Sequence, residues 1–254
     1  MPQLDYLNPH RIAAGKNPGM TWAEFVARNP VVDTGTVPET MSPVGGVLTF
    51  RSTAAVIEVV SSSAADAAAG TGARTIRVDG LDANWDVISE TVTLNGVTAV
   101  TTTKEFIRIN AVEVMAVGTG RTNAGNVTLR DAGAGAVRSY IATDRGRAEV
   151  GMLSVPRGHV LLGNGWYVTA NLGAGAKAAA LVDVMEAHND GGAVGPIHVA
   201  WTVGVEGSFT SGFDIPHVFH EYTDIHIIVR AVGANATTLT FHGHGVLVGP
   251  NADL

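Results

Sequence analysis

The chain has 254 residues, of which 46% are hydrophobic and only 15% charged, and its formal net charge is -7. The acidic balance excludes the basic face that duplex nucleic acid requires, and the absence of cysteine excludes a disulfide framework or a thiolate metal site. No stretch approaches the ~20 apolar residues of a membrane-spanning helix, so neither nucleic acid nor a membrane is an expected partner.

Residues 1–45 stand apart from the rest and hold six of the ten prolines. Within them "TWAEFVAR" (Thr21 to Arg28) predicts a short helix, with Thr21 as N-cap and Glu24 completing a capping box. Trp22, Phe25 and Val26 then share one helical face. A proline-rich segment with one short helix cannot bury a core alone. The expectation is an extended N-terminal arm that anchors Trp22, Phe25 and Val26 in pockets of a neighbour.

From Gly46 onward the hydrophobic period becomes two. Runs such as "AAVIEVVSS", "ARTIRVDGL", "ISETVTLNG" and "GNVTLRD" alternate apolar and polar residues between Gly, Asn, Asp and Ser clusters. "AADAAAGTG" (Ala64 to Gly72) reads as a loop. The glycine-rich stretch beginning at Gly133 reads as a junction. Beyond it lies a second β set, in which "GAGAKAAALVDVM" reads as strand rather than helix because Val and Leu alternate. The expected fold is all-β, with a first β domain at 46–135 and a second at 136–254, each a sandwich or jelly roll.

"GLDANWDVISE" places Asp82, Asn84 and Asp86 at alternate positions, as a calcium loop begins. Val87 and Thr93 occupy the positions that need Gly and the bidentate Glu, so a hairpin turn is the better reading. Trp85, inside that polar turn, is a candidate for an exposed contact with protein or glycan, and equally for a residue that packs within the turn. Five of the nine histidines lie near the C-terminus. His242 and His244 fall on one face of a strand, and in a threefold assembly three such pairs could ligate one axial metal. His217 and His220 are candidates for a pH-sensitive contact. The residues suggest no cofactor. There is no nucleophile elbow, no phosphate loop and no opposed carboxylate pair, so a non-enzymatic protein is expected.

The segment from Gly70 to Asp131 resembles a β-rich family of virion structural proteins from tailed bacteriophages, notably marine and cyanobacterial ones, with related sequences in large algal viruses. "GTGARTI", "GLDANWD", "SETVTLNG", "TAVTTT", "FIRI" and "TNAGNVTL" carry the resemblance. It continues more faintly through "RSYI", "MLSVPRGHVLLGNGWYV" and "YTDIHIIVRAVG". The resemblance implies a virion location, with assembly in a host bacterial cytoplasm. Together with the low charge density it points to a capsid decoration or cement protein. Its partners would be the major capsid protein and copies of itself, as a homotrimer. The alternative is a tail component such as a baseplate, adaptor or short receptor-binding protein.

Overall fold

The computed structural model describes residues 9–172, 177–189, 195–250 and 252. Apart from a five-residue helix, α1 (Pro9–Ala13), its regular structure is strand, in four antiparallel sheets. The first sheet joins β1 (Met20–Val32), β16 (Thr237–Val248), β11 (Val160–Asn171) and β14 (Ser208–Phe219) in that order. The second joins β10 (Met152–Ser154), β15 (Thr223–Val232), β12 (Ala179–His188) and β13 (Ile197–Glu206), with β2 (Glu39–Thr40) added on β15. The third runs β6 (Val100–Thr101), β3 (Ile57–Ser61), β8 (Val127–Asp131), β9 (Val137–Ile141). The fourth runs β5 (Val87–Thr93), β4 (Ala73–Leu81), β7 (Arg108–Val117).

The alternation that marks these strands also sorts their side chains. Along β16, Leu239 and Phe241 are buried while Thr240, His242 and His244 lie half-buried on the opposite face. Ala27, Trp166, Val168 and Phe241 of the first sheet share a core with Val182, Val184, Ile227 and Val229 of the second. Val59, Val127 and Leu129 of the third share another with Ile76, Val78 and Val112 of the fourth. Each large apolar side chain buried this way contributes about 1.5–3 kcal/mol. The result is two two-layer units. The smaller, β3 to β9, is inserted in sequence between β2 and β10 of the larger. The four sheets also stand like blades around one cleft, to which β1, β7, β9 and β10 send Phe25, Ile109, Ser139 and Met152.

Three expectations are corrected. Thr21 to Arg28 is strand, not helix. Ala23, Phe25 and Ala27 alternate onto the core, and β16 supplies a paired partner to every residue from Met20 to Asn29. The capping signal is local and weak, and tertiary pairing overrides it. Met20–Val32 and Glu39–Thr40 are therefore not part of a free arm, because β1 and β2 belong to the chain's own sheets, and residues 1–8 of the expected arm lie outside the described residues. Finally, the boundary after residue 135 falls inside the smaller unit. Gly133 and Ala134, at φ of +74° and +59°, turn a hairpin in which β9 pairs with β8. The chain re-enters the larger unit at Met152. The strand reading of the alanine-rich segment holds in β12, and Ala64 to Gly72 is loop, as expected.

Candidate functional site at the seam between the two units

The "DANWD" turn closes the β4–β5 hairpin. The Asp82 carboxylate accepts the backbone N–H groups of Asn84 at 2.8 Å and Asp86 at 3.0 Å. It is engaged by its own turn, as the hairpin reading requires. Trp85 is not an exposed contact: it is 1% exposed, with φ of +63°. The turn aims its ring inward, edge-on to Tyr222 of the larger unit at 5.6 Å, and its carbonyl accepts the Arg157 N–H at 3.0 Å. Asp86 adds an exposed ion pair with Arg157 at 2.9 Å.

Beneath Trp85 lies a buried ion pair that joins the units. Arg108 on β7 donates through Nε and Nη2 to the two carboxylate oxygens of Asp224 on β15, both at 2.7 Å. The side chains are 3% and 1% exposed. Ser154 and Asn189 also donate to Asp224, and Arg108 Nη1 donates to the carbonyls of Arg51 and Ile107. The guanidinium is flanked by Phe50 at 5.0 Å and Trp85 at 4.6 Å. Both Asp224 oxygens and four of the five guanidinium N–H groups thus have partners, as a buried charge demands, while the buried Trp85 Nε1 beside them has none among the described residues. A side chain at Gly80 would put its Cβ 2.1 Å from the Arg108 carbonyl, so glycine there lets β7 come close enough to place the arginine. Asn110 and Ser154 exchange a reciprocal pair of hydrogen bonds, at 2.8 and 2.9 Å, beside it.

One titratable group borders this cluster. His226 Nε2 lies 2.8 Å from Thr40 Oγ1, and its ring stands edge-on to Phe50 at 5.7 Å. Burial pushes its pKa down to about 4.

Truncating Trp85 to alanine is expected to cost about 3–5 kcal/mol, because a fully buried indole leaves a cavity and uncovers the guanidinium. Chemical denaturation checks this, with Trp85→Phe expected to lose less.

The other sequence candidates do not converge. Phe25 points inward against Phe241, whose ring centroid is 6.0 Å away. Trp22 lies on the opposite face of the strand, stacked on His244 at 5.6 Å. Val26 lies opposite His242. Trp22 and Val26 share that outer face and Phe25 lies on the other, because a strand alternates where a helix would cluster all three. His242 and His244 do lie on one face of β16. His244 sits across from Glu24, and His242 across from Val26 and Tyr167. The His242 Nε2 is buried and has no hydrogen-bond partner among the described residues. No group of three His, Cys, Asp or Glu side chains is placed to hold a metal ion among the described residues. His217 packs on Trp201 at 4.2 Å, with Nε2 3.4 Å from Glu186, and His220 is exposed.

Arg108 and Asp224 escape a motif search because neither belongs to a motif. Their signal is a charge inside an otherwise apolar strand, "FIRI" and "TDIHII", and such charges are seldom buried without a partner.

No protein-family model matches this chain, and no curated protein matches it. Solved structures of infectious bursal disease virus are weakly similar. The Gx strain has 10% identity and a TM-score of 0.27 over 99% of this chain and 79% of that one. The Gt strain has 10% identity and a TM-score of 0.20 over 96% and 76%. A VP2 mutant in derived T=1 particles has 9% identity and a TM-score of 0.20 over 99% and 77%. Likeness of this degree leaves the architecture to be argued from strand order.

Proposed function

We propose that this chain is a structural protein of a virus particle, built as a jelly roll with a second, smaller sandwich inserted after its first strand. The observation that carries the reading is the order of strands in the larger unit. Number β1 and β10 to β16 as first to eighth. One sheet then runs first, eighth, third, sixth, and the facing sheet runs second, seventh, fourth, fifth. That interleaving is two Greek keys folded into a jelly roll, an architecture shared by capsid proteins, lectins and cupins.

Fold alone does not choose among those functions. The surface favours an assembly. Ile197 and Val199 on the edge strand β13 are 58% and 49% exposed, and Ile215 on the edge strand β14 is 83% exposed. Apolar edge strands are a liability unless something covers them. The charged fraction of 15% and the resemblance to phage virion proteins point the same way. Copies of this chain, and other shell proteins, are the proposed partners.

Within the particle, a cement role would be helped by a clamping arm. With β1 built into the chain's own sheet, a subunit of the shell lattice becomes the favoured location. Decoration of the shell comes second and a tail part third. Quantitative mass spectrometry of purified particles separates the three. Abundance as the dominant shell protein is the expected result. Comparable abundance beside a separate lattice protein means decoration, and a small minority of copies means a tail part. Absence from particles overturns the structural reading.

A further inference from the structure

We propose that His226 makes the seam acid-sensitive, its protonation releasing the strap from Glu39 to Phe50, one of the two chain segments that join the inserted unit to the larger one. The inference depends on the two-unit architecture and goes beyond the particle role.

The strap is one of two covalent routes between the units, the other running from Ile141 to Met152, and few bonds hold it to β15. Thr40 and Glu39 pair with Ile228 and Val229 of β15. Met41 donates to the Ile227 carbonyl at 2.9 Å and accepts from Gly151 at 2.7 Å. The strap then folds back on itself, with Thr40 Oγ1 accepting the Leu48 N–H at 2.8 Å. Which of Thr40 Oγ1 and His226 Nε2 donates is set by the imidazole tautomer. Protonation fixes Nε2 as the donor, so the Thr40 hydroxyl must turn its own proton elsewhere, and the new charge stays against Phe50 in the strap.

His226 is half-buried, and no unengaged carboxylate faces the new charge among the described residues. On its own strand, Asp224 is held by Arg108, Ser154 and Asn189, and Arg230 is paired with Asp183. From β12 the facing residue is Met185, and Glu186 is engaged with His217. From β10 it is Met152. In the strap, Glu39 accepts from Gly46 and Thr36. Beyond it, Arg51 pairs with Asp131. Phe50 carries the His226 ring on one side and the Arg108 guanidinium on another, so a protonated His226 becomes the second cation around one aromatic ring.

The sign follows from linkage. The closed form holds His226 near pH 4, while a released histidine titrates near its ordinary 6.5. The closed strap is favoured in full above pH 6.5, loses ground as pH falls, and reaches its floor below 4. The whole interval shifts the opening equilibrium by roughly 300-fold, and about 30-fold of that is reached at pH 5.

Hydrogen exchange on the full chain, corrected for the intrinsic pH dependence of exchange, reads this directly. Between pH 7.5 and 5, amides of Thr40, Met41 and Leu48 are expected to gain roughly 30-fold in opening. Amides of β11 and β16 should hold steady, and His226→Gln should abolish the gain. Equal gains in wild type and variant, or none in wild type, would overturn the proposal. If the variant misfolds, the titration of His226 in wild type decides by NMR. A midpoint well below 6 supports the switch, and one at or above 6.5 refutes it. The chain is tested free in solution, so absence from particles would leave this result standing and the converse also holds.

Discussion

Replacing Arg108 by alanine is expected to cost about 3–5 kcal/mol, the range for stranding one member of a buried ion pair. Asp224 would keep Ser154 and Asn189 as donors, but its charge would face the seam with both charge-assisted bonds lost. Asp224→Ala should cost a similar amount, because the guanidinium then has only main-chain carbonyls and two aromatic faces. The double variant should lose much less than the sum, with a coupling of about 2–3 kcal/mol, since the second deletion removes a charge already stranded. Arg108→Lys should rescue little, because an ammonium cannot make the bidentate fork. Guanidinium denaturation followed by tryptophan emission and by far-ultraviolet circular dichroism measures all four. The two probes should coincide in wild type and separate in Arg108→Ala, as two units that no longer unfold together. Single variants that each lose under about 1 kcal/mol would mean that apolar contact, not the ion pair, joins the units.

Much of the larger architecture is written locally, and the rest is written at long range. Period-two alternation marks β3, β4, β8 and β15, and Asp and Asn mark the turn at Asp82. What alternation cannot give is which strand pairs with which. β1 and β16 are separated by almost the whole chain, so nothing near Thr21 tells that Leu247 will lie opposite it. Without that partner, the local capping pattern in "TWAEFVAR" wins and yields a helix. The same blindness moved the domain boundary, because a glycine run looks alike in a linker and in the β8–β9 turn. For a related reason the sequence leaves Trp85 open between exposure and packing, and the structure packs it. A polar turn reads as exposed, yet the inserted unit lays this one against Tyr222. The seam pair Arg108 and Asp224 is 116 residues apart and could be suspected only from two charges in apolar strands.

Asp66→Ala is expected to unfold or nearly unfold the smaller unit, with a loss above about 4 kcal/mol. The Asp66 side chain is fully buried, and its carboxylate has four donors. Oδ1 accepts the N–H groups of Ala73 at 2.7 Å and Ala124 at 2.8 Å. Oδ2 accepts the Ser61 hydroxyl at 2.6 Å and the Gly125 N–H at 2.9 Å. One carboxylate thereby ties the end of β3 and the start of β4 to the loop before β8. These are "GTGARTI" and "TNAGNVTL", the segments that carry the resemblance to phage proteins. Their small residues have a steric reason: a Cβ at Gly72 would stand 2.1 Å from Asp66 Oδ1 and 2.9 Å from the Ala124 Cβ. Alanine at 66 strands the buried backbone N–H groups of Ala73 and Gly125 at about 1–3 kcal/mol each, and the partly buried one of Ala124. Asparagine keeps one acceptor oxygen but points an amide donor at the Gly125 N–H or at the Ala73 and Ala124 pair, so it should recover only part of the loss. Gly72→Ala should approach the loss of Asp66→Ala while leaving the carboxylate in place. Thermal denaturation, with amide spectra of each unit, tests the set. A folded smaller unit in Asp66→Ala, with stability within about 1 kcal/mol of wild type, would show that its apolar core and not this carboxylate holds the third and fourth sheets together.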